Sequence, residues 1–231
     1  MENEPILVGQ ASGTEQATFY RKTYLHVALA LLAFMVTETL LIQLVPSDWI
    51  IAMVNSGQFF WLFLIGLFWV GGMLADRMAF AASRQKQYLG LGLYVLLEAI
   101  IFLPMIYIAA FYAENGGAIL MQAALTTLGM FGGLTAAVFF TNTDFSFLRT
   151  ILVVGGFVAL GAIVAGAIFG FDLGLWFSIG MVVLASASIL YQTSQIKDHY
   201  GTHQYVGAAL QLFASVMLLF WYILRILMSR R

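Results

Sequence analysis

Seven stretches of about twenty residues carry almost no charge, at 24 to 45, 50 to 75, 88 to 110, 118 to 140, 149 to 170, 173 to 192 and 205 to 228. Each is long enough to cross a hydrocarbon core of about 30 Å as a helix. None shows the ten-residue alternation of a barrel strand, and lipid offers the backbone no partner, so helices are the reasonable spanning solution. The expected fold class is an all-α integral membrane protein with seven transmembrane helices. Residues 1 to 19 read as a polar, retained cytosolic tail containing Glu2, Glu4 and Glu15, and 20 to 231 as a single domain without visible repeat. Short connections, notably Pro46 to Trp49 and the turn at Gly170, Phe171 and Asp172, predict that consecutive helices are antiparallel neighbours.

Composition agrees and excludes several function classes. The chain is 62% hydrophobic and 9% charged, whereas a soluble domain is roughly 45–50% apolar and about 25% charged. A net charge of -1 leaves no basic surface for nucleic acid. With no cysteine there is no disulfide, thiolate nucleophile or thiolate metal site.

Basic residues set the expected orientation. Arg21, Lys22, Arg77, Arg84, Lys86, Arg149 and Lys197 all fall on one side of the seven spans, which the positive-inside rule makes cytosolic. The N-terminus is then inside and the C-terminus outside the membrane that the chain spans. Arg225, Arg230 and Arg231 conflict with this count, and a last span that does not cross fully would remove the conflict.

Carboxyl groups deep in lipid are expensive, so each requires a reason. Glu98 lies ten residues past Tyr88, roughly 15 Å along a helix and so near the midplane. Its functional reading is an ion or proton site, and the alternative is a neutral carboxyl that glues helices together. Glu38, about 21 Å past Tyr24, sits in the outer part of the first span. Asp144 and Arg149 bracket a cytosolic-side connection, where a local pair or cap costs little. Arg225 can snorkel or pair with an acid. Gly129 with Gly133, Gly166 with Gly170, and the run Ala185, Ser186, Ala187, Ser188 read as close-packing surfaces. His199 and His203 lack the further ligands that a zinc site needs.

Three segments are more specific than a generic bundle: RKTY at 21 to 24, TDFSFLR at 143 to 149 and ILYQTSQIK at 189 to 197. Together they make the chain similar to the Bax inhibitor-1 family, with its bacterial YccA-like branch the nearest in pattern. That resemblance runs over nearly the whole chain. It implies a last helix wrapped by the other six and, for some members, a proton-sensitive calcium leak switched by paired acids on helices six and seven. The matching positions here are Gln192 and Ser215, so both acids are absent. An amide facing a hydroxyl does not titrate near neutrality, though the two can hydrogen-bond across the helices.

Two functions are consistent with these features. The resemblance to the YccA-like branch implies a stress-linked regulator of membrane quality control with the membrane protease FtsH as partner; composition and position alone offer the polar tail at 1 to 19 as its grip. The alternative is a leak for calcium or protons that uses Glu98, with Glu38, instead of the missing pair. Gln192 and Ser215 favour regulator or scaffold over proton-gated pore. No cofactor is expected and no nucleophile and base pair stands in the spans, so the chain does not read as an enzyme.

Overall fold

The computed structural model describes residues 6–141 and 143–229, apart from the side chains of residues 58 and 59. Eight α-helices succeed one another among them: α1 (Gly13–Leu44), α2 (Ser47–Asn55), α3 (Gln58–Ala79), α4 (Arg84–Phe111), α5 (Gly116–Phe140), α6 (Leu148–Phe169), α7 (Gly174–Asp198) and α8 (Tyr205–Ser229). All but α2 are long and apolar enough to span a membrane, which makes the protein an all-helical, seven-span bundle. Arg230 and Arg231, two of the three arginines in conflict with the charge count, lie outside the described residues.

The last helix is the axis. α8 buries residues on every side, from Tyr205 and Val206 through Phe213 and Met217 to Leu224, because it is apolar all round and touches α1, α3, α4, α5 and α7. The expected wrapping by all six other helices is nearly right. α6 departs from it, packing mainly on α7 and α3, with Ala159 reaching the Met181 and Tyr222 cluster. Nor are all consecutive helices neighbours: α1 packs chiefly on α4 and α8, and α5 on α8, α7 and α4.

Two boundaries differ from the hydropathy reading for local reasons. α1 starts at Gly13 rather than near 24, because Ser12 and Glu15 form a capping box: Ser12 N donates to Glu15 Oε2 at 3.0 Å and Glu15 N donates to Ser12 Oγ at 3.4 Å. The second apolar run is broken at Ser56 and Gly57, so its first part is the separate helix α2, which occupies the expected short connection after Pro46. Ahead of α1, Val8 is fully buried and its N–H donates to Tyr200 O at 2.8 Å, while Leu7 bridges Gly201. This part of the expected tail is docked on the α7–α8 turn.

Small residues bring helices together in the expected α7 run, where Ala185 is fully buried and Ser188 meets Ser215 of α8, but not at Gly129 and Gly133. A Cβ at Gly129 or Gly133 would meet nothing within 4 Å. One at Gly90 would lie 2.5 Å from Ala75 O and 2.7 Å from Ala79 N, so α4 runs backbone against backbone with α3. Gly170 has another role, closing α6 in the left-handed conformation at φ 73°.

The ends of the bundle are charge-marked. At one end Lys197 Nζ donates to Val138 O and Thr141 O, both at 3.3 Å, a cation on the carbonyl end of α5. Arg84 donates to His203 O at 2.9 Å at that same end. Arg225 is at the other end, where its Nη2 pairs with Asp172 Oδ1 of the α6–α7 turn at 3.3 Å. α8 therefore runs the full depth of the bundle, and its arginine ends in a surface ion pair.

Candidate functional site

The seam between α7 and α8 is built from polar residues spaced one helical turn apart. Ser188 and Gln192 share a face of α7, Gln211 and Ser215 share a face of α8, and the helices run antiparallel. Ser188 Oγ meets Ser215 Oγ at 2.8 Å, and Ser215 also donates to Gln211 O at 3.0 Å. Gln192 Nε2 donates to Gln211 Oε1 at 3.4 Å. Gln192 and Ser215, which the sequence allows to hydrogen-bond across the helices, thus do not bond to each other. The register places each of them opposite a different partner.

Two groups extend this seam beyond the pair of helices. Tyr200 OH donates to Gln192 Oε1 at 3.3 Å, and Gln211 Nε2 donates to Asp76 Oδ1 of α3 at 2.5 Å. The result is a relay with a single direction, Tyr200 to Gln192 to Gln211 to Asp76. An ionised carboxylate only accepts, so Asp76 turns the Gln211 amine toward itself, and the oxygen of Gln211 is left for Gln192. Each amide in turn orients the next. A carboxyl group does therefore reach the α7–α8 seam, from a third helix.

Beyond the relay lies a cavity of about 490 Å³. Its walls include Gln192 and Gln211 at one end, Ser188, Ser215, Tyr94 and Glu98 farther along, and Trp221, Tyr222 and Arg225 at the other end. Gln211 to Arg225 is fourteen residues of α8, or roughly 21 Å of depth. The cavity thus covers much of the half of the bundle opposite the basic end. Most of the remaining lining is apolar, with Ile65, Phe68, Phe102 and Leu218 among it. Glu98 enters from α4 at 6% exposure, with the hydroxyl of Tyr94, one turn earlier, within hydrogen-bonding influence.

The other expected residues lie apart. Glu38 is buried at 4% exposure on α1, neither of its carboxyl oxygens has a hydrogen-bond partner among the described residues, and it does not line the cavity. The Ser146 side chain and then its backbone N–H, which donates to Asp144 Oδ1 at 2.9 Å, hold the Asp144 carboxyl below the ordinary carboxylate range. Among the described residues no ion pair joins Asp144 to Arg149, and neither lines the cavity. No group of three or more potential metal ligands occurs among the described residues.

Asp76, Gln211, Tyr200 and Tyr94 were not singled out from sequence, and Ser188 was read there only as part of a close-packing run. Asp76 sits one residue past the expected end of its span and reads there as a loop charge. The available signal was the i, i+4 pairing of Gln211 with Ser215 and of Ser188 with Gln192.

Comparison with known proteins bears on the same residues. The family model described as Inhibitor of apoptosis-promoting Bax1 matches residues 16–231. The uncharacterized protein PA2604 of Pseudomonas aeruginosa is 41% identical over 113 residues, 48% of this chain and 50% of that one. The uncharacterized protein NMA0420 of Neisseria meningitidis serogroup A is 32% identical over 121 residues, 52% of this chain and 53% of its own. The chain thus spans about half the length of the curated relatives it matches.

Proposed function

From the premise that this chain belongs to the Bax inhibitor-1 family, we propose that it regulates its membrane by leaking a cation, calcium or protons, through the cavity beside Glu98. The observation that carries the reading is the position of the polarised relay at the inner end of that cavity. In the closed state the hydrogen-bonded amides of Gln192 and Gln211 fill the route toward the basic end. Among the described residues Glu98 supplies the one carboxyl of the cavity wall, and it draws a cation into an otherwise mostly apolar space.

Asp76 takes over the titrating role that Gln192 and Ser215 cannot play. While ionised it fixes the direction of the relay, and protonation removes the acceptor that orients Gln211. The amides are then free to turn, and the plug loosens as pH falls. Arg225 stands at the far mouth with its charge offset by Asp172.

Reconstitution into calcium-loaded liposomes, with a second set carrying a pH dye, tests this. Flux is expected to rise as pH falls, to vanish in Glu98→Gln, and to lose its pH dependence in Asp76→Asn. No flux at any pH, or flux unchanged by Glu98→Gln, defeats the reading.

Modulation of the protease FtsH in a bacterial inner membrane remains the reading that family resemblance supplies. Of its proposed grip, residues 1 to 19, Val8 and Leu7 are tied to Tyr200 and Gly201, and residues 1 to 5 lie outside the described residues. Crosslinking in native membranes decides whether the two proteins touch.

A further inference from the structure

A second concave surface lies where α1 and α4 leave the basic end, and Tyr205 is its hub. Arg84 Cζ stands 4.3 Å and Lys22 Nζ 5.2 Å from the centroid of its ring, close enough for cation–π attraction. His26 packs on the same ring at 5.1 Å and stacks on Tyr88 at 5.6 Å, and the two tyrosine hydroxyls meet at 3.5 Å.

This cluster holds positive charge with no ion-paired protein anion among the described residues. Among the described residues, no carboxylate pairs with Lys22 or Arg84. Glu15, the acid nearest to Lys22 along α1, accepts its hydrogen bonds from Ser12 and makes no ion pair with Lys22. Arg84 donates from Nη1 to Gln87 Oε1 at 2.6 Å and to His203 O at 2.9 Å, which occupies both protons of that nitrogen. The protons on Nη2 and Nε have no protein acceptor among the described residues. His26 Nδ1 donates to Lys22 O at 2.6 Å, so its Nε2 is the ring nitrogen left over.

An apolar groove of about 410 Å³ runs from this cluster between α1 and α4. His26 and Tyr88 head it, and Leu29, Ala33, Val95 and Leu96 line it down to Thr37. His26 to Thr37 is eleven residues, or roughly 16 Å of helix, against about 15 Å for half of the hydrocarbon core. The groove therefore matches the depth of one leaflet, with the unmatched cations at its headgroup end.

We propose that this surface binds one anionic phospholipid, its phosphate between Lys22 and Arg84 and one acyl chain along the α1–α4 groove. Membrane lipid is the occupant that matches charge, depth and apolar lining together. The site is separate from the Glu98 cavity and does not depend on a leak.

The test is native mass spectrometry of the full chain in detergent, titrated with phosphatidylglycerol and with phosphatidylcholine of the same acyl chains. A single phosphatidylglycerol is expected to be retained roughly tenfold more strongly than phosphatidylcholine. Lys22→Gln, an exposed change, and Arg84→Gln should each narrow that ratio, and the double variant should bring it near one. Gly92→Phe fills the groove where a Cβ meets nothing within 4 Å, so it should fold normally and weaken both lipids alike. Equal retention of the two lipids by the native chain overturns the proposal, as does a preference that survives the double charge variant or binding untouched by Gly92→Phe. So does displacement of the lipid by an equal concentration of inorganic phosphate, which marks a plain anion site, or a dimer in place of the one-lipid adduct, which assigns the groove to a second copy.

Discussion

Glu98 and Glu38 are the same residue type, both buried in spans of one bundle, and their surroundings differ. Glu98 stands on the wall of a cavity of about 490 Å³, with Tyr94 beside it and the Gln192 and Gln211 relay at the cavity's inner end. Glu38 is sealed into the side of α1 with neither oxygen partnered among the described residues. Depth in lipid, the only quantity readable along the chain, does not separate a carboxyl with a route to it from one without. Space and polar neighbours do.

The largest effect that this contrast predicts is on flux. Glu98→Gln should reduce liposome calcium or proton flux to background, whereas Glu38→Gln should leave it within twofold or so, since a step of that size is below about 0.5 kcal/mol. Loss of flux in Glu38→Gln would break the comparison by putting both acids on one path. Next in size, Gln211→Leu severs the relay at its centre and should raise flux at neutral pH by about tenfold, corresponding to about 1.4 kcal/mol less holding the plug shut. An unchanged rate there would mean that the amides do not close the cavity.

Stability sharpens the contrast from the other side. Glu38→Leu removes two unpartnered buried oxygens and should stabilise the bundle by about 1–3 kcal/mol in detergent unfolding experiments. Glu98→Leu should gain less, because its carboxyl faces the cavity and Tyr94. The Arg225 and Asp172 pair is half exposed on one side and open on the other, so Asp172→Asn should cost under about 1 kcal/mol, and less in high salt. Smallest is Asp144. Its carboxyl is held below the ordinary range in the folded state, so its contribution is present above the unfolded pKa and is lost as pH falls through the depressed value. Because the group is exposed, Asp144→Asn should lower the unfolding midpoint only slightly at neutral pH, and the difference from the native chain should vanish in acid below the depressed value.

How much was legible from sequence depended on the range of the interaction. The apolar runs marked seven spans, because lipid solvates each helix separately and the requirement acts on every segment alone. Glu98 stood out for the same reason, as one charge in a long neutral run. α2 was not separated from the second span, because Trp49, Ile50, Ile51 and Val54 are as apolar as the first turns of α3, and only Ser56 and Gly57 mark the break. Glycine spacing pointed to Gly129 and Gly133, yet the close approach is at Gly90, since small-residue spacing does not reveal which face meets a neighbour.

The sequence by itself determined that this is a seven-span helical membrane protein and where its charges gather. Only tertiary structure decided that Gln192 faces Gln211, that Ser215 faces Ser188, and that Asp76, 135 residues away from Gln211, brings a carboxyl to their seam. Hydropathy acts along one helix at a time, whereas a hydrogen bond between helices depends on rotation and register. Those are set by packing all the spans together around α8.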